Sequence, residues 1–380
     1  MKIAVISTTT GAPWGGSEEL WSEMVEVALD QGNEVVAAIY QWSCTVPKVV
    51  TLQAKGAQIL SRPLPKRGKL GKLLTSLESS FNRVFQLKPD VILINQGGTY
   101  DPLLMNLGNL FDLLYSSSIP YCILCQRNED SYVPEQALRD KAVQFFERAA
   151  QVLFVAEQNL KTAERQLARL LPNAQVVRNP VNLPDPNAVH WCTNPVVQFA
   201  NVARLEVGFK GQDILLETLS ATVWRDRPWQ LNLYGGGGDR PYLEALCQHY
   251  KLGDRVHFVG HVGNVKTIWA DNHLLVLPSQ REGTPLALVE AMLCGRPSVV
   301  TDVGGNAEWI EDGITGFIAE ASTATSFGQA LERAWQAQSN WEPMGVTAHT
   351  TAMSKFDINP GKSLLQIIVE AAARIPFASL

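Results

Sequence analysis

The feature that most limits how this chain can fold is an alternation, kept up along most of its length, between short aliphatic runs and segments of helical length. "KIAVIS" (2–7), "EVVAAIY" (34–40), "VILIN" (91–95), "YCILC" (121–125) and "VLFVA" (152–156) are apolar at almost every position. That pattern fits strands buried on both faces, as in parallel sheets, and the segments between the runs are long enough for the crossovers that parallel neighbours require. After the first run comes "SEELWSEMVEVALDQG", whose apolar spacing predicts a helix closed by Gly32. A second series follows with "VVQFANVA" (196–203), "LNLYGGGG" (231–238), "VHFVG" (256–260), "LLVLPS" (274–279) and "PSVVTD" (297–302). Between the two series, residues 178–195 hold four prolines and several turn formers, which end helices and strands alike. The sequence therefore predicts an α/β chain of two Rossmann-like domains, 1–180 and 195–358, facing a central cleft, where open sheets of this class bind ligands. An amphipathic helix at 360–375 is expected to cross back onto the first domain.

Composition narrows the function. A chain of 380 residues is too long for one ordinary core. Thirty-two Lys and Arg against 37 Asp and Glu give a net charge of −5, which argues against a nucleic-acid partner, since such a partner calls for an excess of cations. The opening "MKIAVISTTTGAPW" has too short an apolar run for a secretion signal, and no stretch reaches about 18 uninterrupted apolar residues, so a cytoplasmic location is expected. The run "SRPLPKRGKLGK" (61–72) carries five basic residues and no acid; residues 62–72 are a candidate for peripheral contact with anionic lipid or an acidic acceptor. Cys122 and Cys125 are read as reduced core thiols, because their spacing sends them to opposite faces of a strand.

The chemistry concentrates in "QREGTPLALVEAMLCGRPSVVTDVGGNAEW" (280–309). Thr284 as N-cap and Pro285 in the first turn predict a helix running to Gly295. Glu290 then lies inside that helix, where its carboxylate can accept from both vicinal hydroxyls of a ribose. Glu282 sits at the helix mouth, nearer a reacting sugar. The first helical amides carry partial positive charge and would face a phosphate or sugar hydroxyls. The glycines of "GGGGDR" (235–240) suit either a donor-binding loop or a plain strand-to-helix turn, and Gly235 and Gly236 are candidates for the former.

This stretch resembles the retaining family 4 glycosyltransferases, which have the GT-B fold. Two glutamates separated by seven residues, Glu282 and Glu290, the pair Pro285 and Leu286, and the following Gly304 and Gly305 match the family pattern. "NVARLEVGFKGQDILL" is a second matching block and "GAPWGGSE" a third. The resemblance implies that Arg204 and Lys210 contact the donor diphosphate, with Glu282, Arg204 and Lys210 as the catalytic set. It further implies a donor site of Gly15, Gly16, Gly283, Thr284, Pro285, Leu286 and Glu290. The implied reaction moves a hexose from a nucleotide sugar such as a UDP- or GDP-hexose to a hydroxyl of a glycan, lipid-linked or small-molecule acceptor, with retention of configuration. No resident cofactor or metal is expected, as the chain has no Asp-x-Asp pair. Members of the family commonly place a histidine after the strand matching "YCILC". Here all six histidines fall at 190 or later, so that sugar contact is expected to pass to Gln126, Arg127, Asn128 or Asp130. The alternatives are a phosphorylase or epimerase on the same fold, and a non-catalytic nucleotide-sugar sensor.

Overall fold

A computed structural model of the chain describes residues 1–64, 81–105, 107 and 109–373. Most of the basic run, from residue 65 on, lies outside the described residues. The chain divides into two compact units, one of Met1–Pro180 with the chain from Asp357 onward, the other of Val181–Phe356.

In the first unit the strands β1 (Lys2–Ser7), β2 (Glu34–Tyr40), β3 (Gln58–Arg62), β4 (Val91–Gly98), β5 (Tyr121–Arg127), β6 (Gln151–Phe154) and β7 (Ala174–Val176) form one sheet. Its order is β3-β2-β1-β4-β5-β6-β7, and every neighbouring pair is parallel. The order reverses between β1 and β4, where Ile6 lies beside Ile94 on one side and Ala38 on the other. Alternate residues of each strand face opposite layers. Ala4 and Ile6 join one core with Phe145 and Phe146, while Ile3 and Val5 join the other with Trp21 and Met24. Covered on both faces, such strands have no reason to alternate polar and apolar residues.

Helix α1 (Gly16–Asp30) buries Leu20, Trp21, Met24, Val25 and Ala28, a stripe at helical spacing. It stops at Gly32, whose φ of +78° is the left-handed conformation that closes helices. Helix α2 (Pro47–Ala54) lies between β2 and β3. The C-terminal helix Pro360–Ala373 packs on α1 through Leu364, Leu365, Ile368 and Ala371. At its start, a side chain on Gly361 would run into the backbone of Glu23 and Met24.

The second unit repeats the plan with β8 (Val197–Val202), β9 (Trp229–Tyr234), β10 (Val256–Gly260), β11 (Leu274–Leu277), β12 (Ser298–Thr301) and β13 (Gly316–Ala319), ordered β10-β9-β8-β11-β12-β13 and parallel throughout. Its reversal falls between β8 and β11. The proline-rich segment from Val181 belongs to this unit: Leu183 and Val189 pack with its core, and buried Arg296 donates to the His190 carbonyl. Among the described residues no helix is long and apolar enough to cross a membrane.

Strands β3, β7 and β13 escape the sequence reading for local reasons. β3 is an edge strand with Gln58 and Ser61 exposed, β7 has three residues, and β13 begins at a glycine. Strand β5 continues to Arg127, so Gln126 and Arg127 lie in the strand rather than in the loop after it. Cys122 and Cys125 occupy opposite layers of the sheet, both buried and unbridged.

Candidate functional site

Ligand sites in doubly wound sheets form where strand order reverses, because the loops leaving the two central strands part there. In the second unit those loops follow β8 and β11, and they carry the principal residues singled out above.

Lys210 ends a single helical turn, Val207–Lys210, and its Nζ meets Oε1 of Glu282 at 2.6 Å. The same oxygen accepts from the Ser279 hydroxyl at 2.7 Å. The pair is well shielded, with side-chain exposures of 20% for Lys210 and 7% for Glu282, so its mutual attraction is little screened by solvent. Gly211 follows with φ +63°, and a side chain there would overlap the Pro278 carbonyl, which fixes the Lys210 turn against the β11 loop. Arg204 takes a different partner, Glu206 at 3.0 Å, and is half exposed.

Helix α3 (Leu286–Leu293) starts one residue later than expected. Pro285 is its N-cap, in extended conformation, and makes no side-chain capping bond. A proline supplies no amide, and its fixed φ suits the entry to a helix. The helix closes at Gly295 with φ +76°. Gly283, Thr284 and Pro285 are buried at its mouth, and Leu286 is partly buried.

Glu290, within α3, is 3% exposed. Its Oε1 accepts from both the backbone amide and the side-chain amide of Asn182, each at 3.1 Å. Oε2 takes no donor among the described residues. Burial pushes this carboxyl above its ordinary 4.5, and the two Asn182 bonds pull the other way. That oxygen keeps access to solvent, so a hydroxyl of an incoming ligand can reach it.

The glycines divide by role. Gly304 has φ +54°, and a side chain on it would overlap the Glu282 carbonyl; the next amide, Gly305 N–H, donates to the Gly283 carbonyl at 2.6 Å. This pair therefore packs the backbone that carries Glu282. Gly235, with φ +120°, and Gly237 lie hard against the backbone of Ala203 and Leu205, whereas Gly236 has nothing within 4 Å of where a side chain would begin. Close packing accounts for Gly235, while Gly236 and Gly238 face open space.

In the first unit the expected contacts separate. Asn128 donates to the Asn159 carbonyl and accepts from the Glu129 amide, and Asp130 accepts from Thr162, so both fasten the loop to the helix Glu157–Leu167. The Arg127 carbonyl accepts from Thr99. Gln126 differs from these in its partners: it donates to Asn95 within β4 and accepts from Asn179. Asn95 in turn reaches Ser7, Thr9 and Glu18, completing a polar cluster at the β1/β4 reversal. Gly15 caps α1 in extended conformation with open space around it, and Gly16 opens the helix.

Sequence reasoning missed Asn182, Ser279, Glu18 and Asn95. Asn95 and Ser279 each stand at or just past the end of an apolar run in the sequence, which is a usable signal. Asn182 sits in a proline-rich segment and gives none.

Residues 197–337 match the model of the family described as glycosyl transferases group 1. Among characterised proteins the chain is similar to alpha-D-kanosaminyltransferase of Streptomyces kanamyceticus, 27% identical over 224 residues, covering 58% of this chain and 54% of that one. It is also similar to an uncharacterized glycosyltransferase of Haemophilus influenzae, 27% identical over 159 residues, covering 40% of this chain and 45% of the other. The chain thus spans about half the length of these relatives. Its fold is that of Anabaena HepE, whose crystal structure holds UDP, with a TM-score of 0.73 at 18% identity over 97% of this chain and 100% of that one. The two Rossmann-like units are those of the GT-B fold.

Proposed function

We propose that this chain, whose second unit carries a glycosyl transferases group 1 domain within a GT-B fold, is a hexosyltransferase that uses a nucleotide sugar. The observation that carries this reading is the Lys210–Glu282 pair at 2.6 Å, held by Ser279 at the β8/β11 reversal, in the same unit as a buried Glu290 with one oxygen unclaimed. Oε2 of Glu290 would accept from the ribose hydroxyls of the donor. Lys210 and Arg204 would balance the negative charge that grows on the departing diphosphate while positive charge develops at the anomeric carbon. Glu282 orients Lys210 and lies close enough to the helix mouth to meet the sugar hydroxyls. The amides that open α3 and the loop at Gly236 would complete the donor site within the second unit.

The donor is a UDP- or GDP-hexose and the configuration is retained; the relative solved with UDP supports the uridine choice. The acceptor is a hydroxyl of a glycan, a lipid-linked sugar or a small molecule. The reaction runs without a metal, since two cations serve the diphosphate and the sequence has no Asp-x-Asp pair. The working place is the cytoplasm, with membrane contact through residues 62–72 where the acceptor is lipid-linked.

Thermal unfolding with UDP, GDP and ADP, each alone, tests the reading. A nucleotide at 100 times its dissociation constant adds about 2.7 kcal/mol of stability, and one of the three should do so. With the matching sugar nucleotide, nucleoside diphosphate should be released at a rate unchanged by excess EDTA. Failure of all three nucleotides to stabilise the chain would overturn the proposal, and activity restored by manganese after EDTA would overturn its metal-free form.

A further inference from the structure

We propose that Thr301 and Ser322, two hydroxyl residues with no role in the site described so far, are positioning residues for Lys210: through the Ser279 carbonyl they aim the Ser279 hydroxyl at Glu282, and Glu282 in turn holds the lysine. That Lys210 serves a leaving group rests on the transferase reading; the convergence of hydroxyls on its partner does not.

Strand β11 ends at Leu277, so Ser279 lies beyond its ladder. The Ser279 carbonyl accepts from two side chains, the hydroxyl of Thr301 at 2.6 Å and that of Ser322 at 2.7 Å. Thr301 is the last residue of β12 and Ser322 follows β13. Ser279 and Thr301 are fully buried. A carbonyl oxygen has two lone pairs, and one donor is enough to satisfy it when buried. A second donor from another strand fixes its direction, since the peptide plane cannot swing toward one hydroxyl without stretching the bond to the other. Both donors have firm bases. The Thr301 carbonyl accepts from the Asn306 side chain at 2.8 Å. Ser322 stands next to Thr323, which caps the helix Ala324–Gln336, and that helix buries Phe327, Ala330 and Leu331.

The aim passes from this carbonyl to the charged pair. The hydroxyl of Ser279 donates to Oε1 of Glu282 at 2.7 Å, and Nζ of Lys210 reaches the same oxygen at 2.6 Å. The backbone joins the two segments as well: the amides of Gln280 and Arg281 donate to the carbonyl of Phe209, the residue before Lys210, at 2.8 and 3.3 Å. Displacing Ser279 therefore displaces Glu282 and Lys210 together. A cation that balances charge growing in the transition state works from a preorganised place, so a small shift costs turnover before it costs nucleotide binding.

Steady-state kinetics of the whole chain with UDP-glucose, GDP-mannose and ADP-glucose, read as release of nucleoside diphosphate, tests the role with the best of the three. Ser322→Ala and Thr301→Val should each lower turnover about tenfold with the Michaelis constant within about twofold, while Ser322→Thr and Thr301→Ser, which keep the hydroxyl, recover most of the loss. In a Lys210→Ala chain, Ser322→Ala should lower turnover no further, because the cation it aims is gone. Ser322 is only partly buried, so Ser322→Ala carries the test if melting shows that Thr301→Val does not fold. Unchanged turnover in Ser322→Ala, no recovery in Ser322→Thr, or an equal further loss in the Lys210→Ala chain would each overturn the role. Nitrogen-15 NMR of the Lys210 ammonium, assigned by its disappearance in Lys210→Ala, reads the positioning without turnover. Its protons should exchange with water about threefold faster or more in Ser322→Ala and at an unaltered rate in Ser322→Thr. Absence of release from all three sugar nucleotides would sink the transferase reading alone; equal ammonium exchange in Ser322→Ala and the unaltered chain would overturn the positioning whatever the activity.

Discussion

Lys210 and Glu282 stand 72 positions apart in sequence and 2.6 Å apart in space. If Lys210 serves the leaving group, its charge matters more in the transition state than in the bound ground state. Lys210→Ala should therefore cut turnover about a hundredfold, the cost of removing one preorganised donor, with a smaller rise in the Michaelis constant. Steady-state kinetics with the best donor decides, and a raised Michaelis constant at unchanged turnover would reduce Lys210 to a ground-state anchor. Glu290 supports a prediction in pH. Its native pKa lies above 4.5 through burial, so between 4.5 and the native value the folded chain keeps a proton that the unfolded chain has lost. Stability then falls as pH rises through that window. The melting temperature of Glu290→Gln minus that of the unaltered chain should grow over the same rise, while nucleotide affinity drops; a difference that shrinks with rising pH would mean the folded state favours the carboxylate. At this scale the sequence named both glutamates and the lysine, because their spacing is local or falls in matching blocks. It missed Asn182, since which loop reaches a buried carboxylate depends on tertiary packing.

At the scale of elements, glycines separate packing from binding. A side chain on Gly304 would meet the Glu282 carbonyl and would hold φ at +54°, strained for any other residue. Gly304→Ala should cost about 1–3 kcal/mol of stability and displace the loop that aims Glu282. Gly236→Ala meets nothing within 4 Å, so stability should stay within about 0.5 kcal/mol. If that loop faces the donor, nucleotide affinity should fall all the same. Chemical denaturation paired with calorimetry reads both quantities, and an affinity unchanged in Gly236→Ala would leave "GGGGDR" as a turn. The main strands were legible because a sheet covered on both faces needs continuous apolar runs. The boundaries were less so: β5 carries on through Gln126 and Arg127, and the buried Gln126 is tolerated because its side chain donates to Asn95 and accepts from Asn179.

At the scale of the molecule, the division into two α/β units could be read from two series of strands split by prolines, and the amphipathic C-terminal helix was expected to cross back onto the first; in the structure the chain from Asp357 is grouped with Met1–Pro180. The helix Pro360–Ala373 buries Leu364, Leu365 and Ile368 against α1, and Gly361 lets the two backbones come close. Each of those three side chains is worth about 1.5–3 kcal/mol when buried, and their sum approaches the whole stability of an ordinary domain. A chain ending at Phe356 would expose Trp21, Met24 and their neighbours on α1, while the second unit, complete within Val181–Phe356, would lose nothing from its own core. Calorimetric melting of the shortened chain should show the first unit unfolding at a much lower temperature, or already unfolded, with a remaining transition that nucleotide still raises. If the shortened chain instead melts as the full one does, the helix contributes no stability to the first unit; if the nucleotide-dependent transition is the one that disappears, the donor does not reside in the second unit alone.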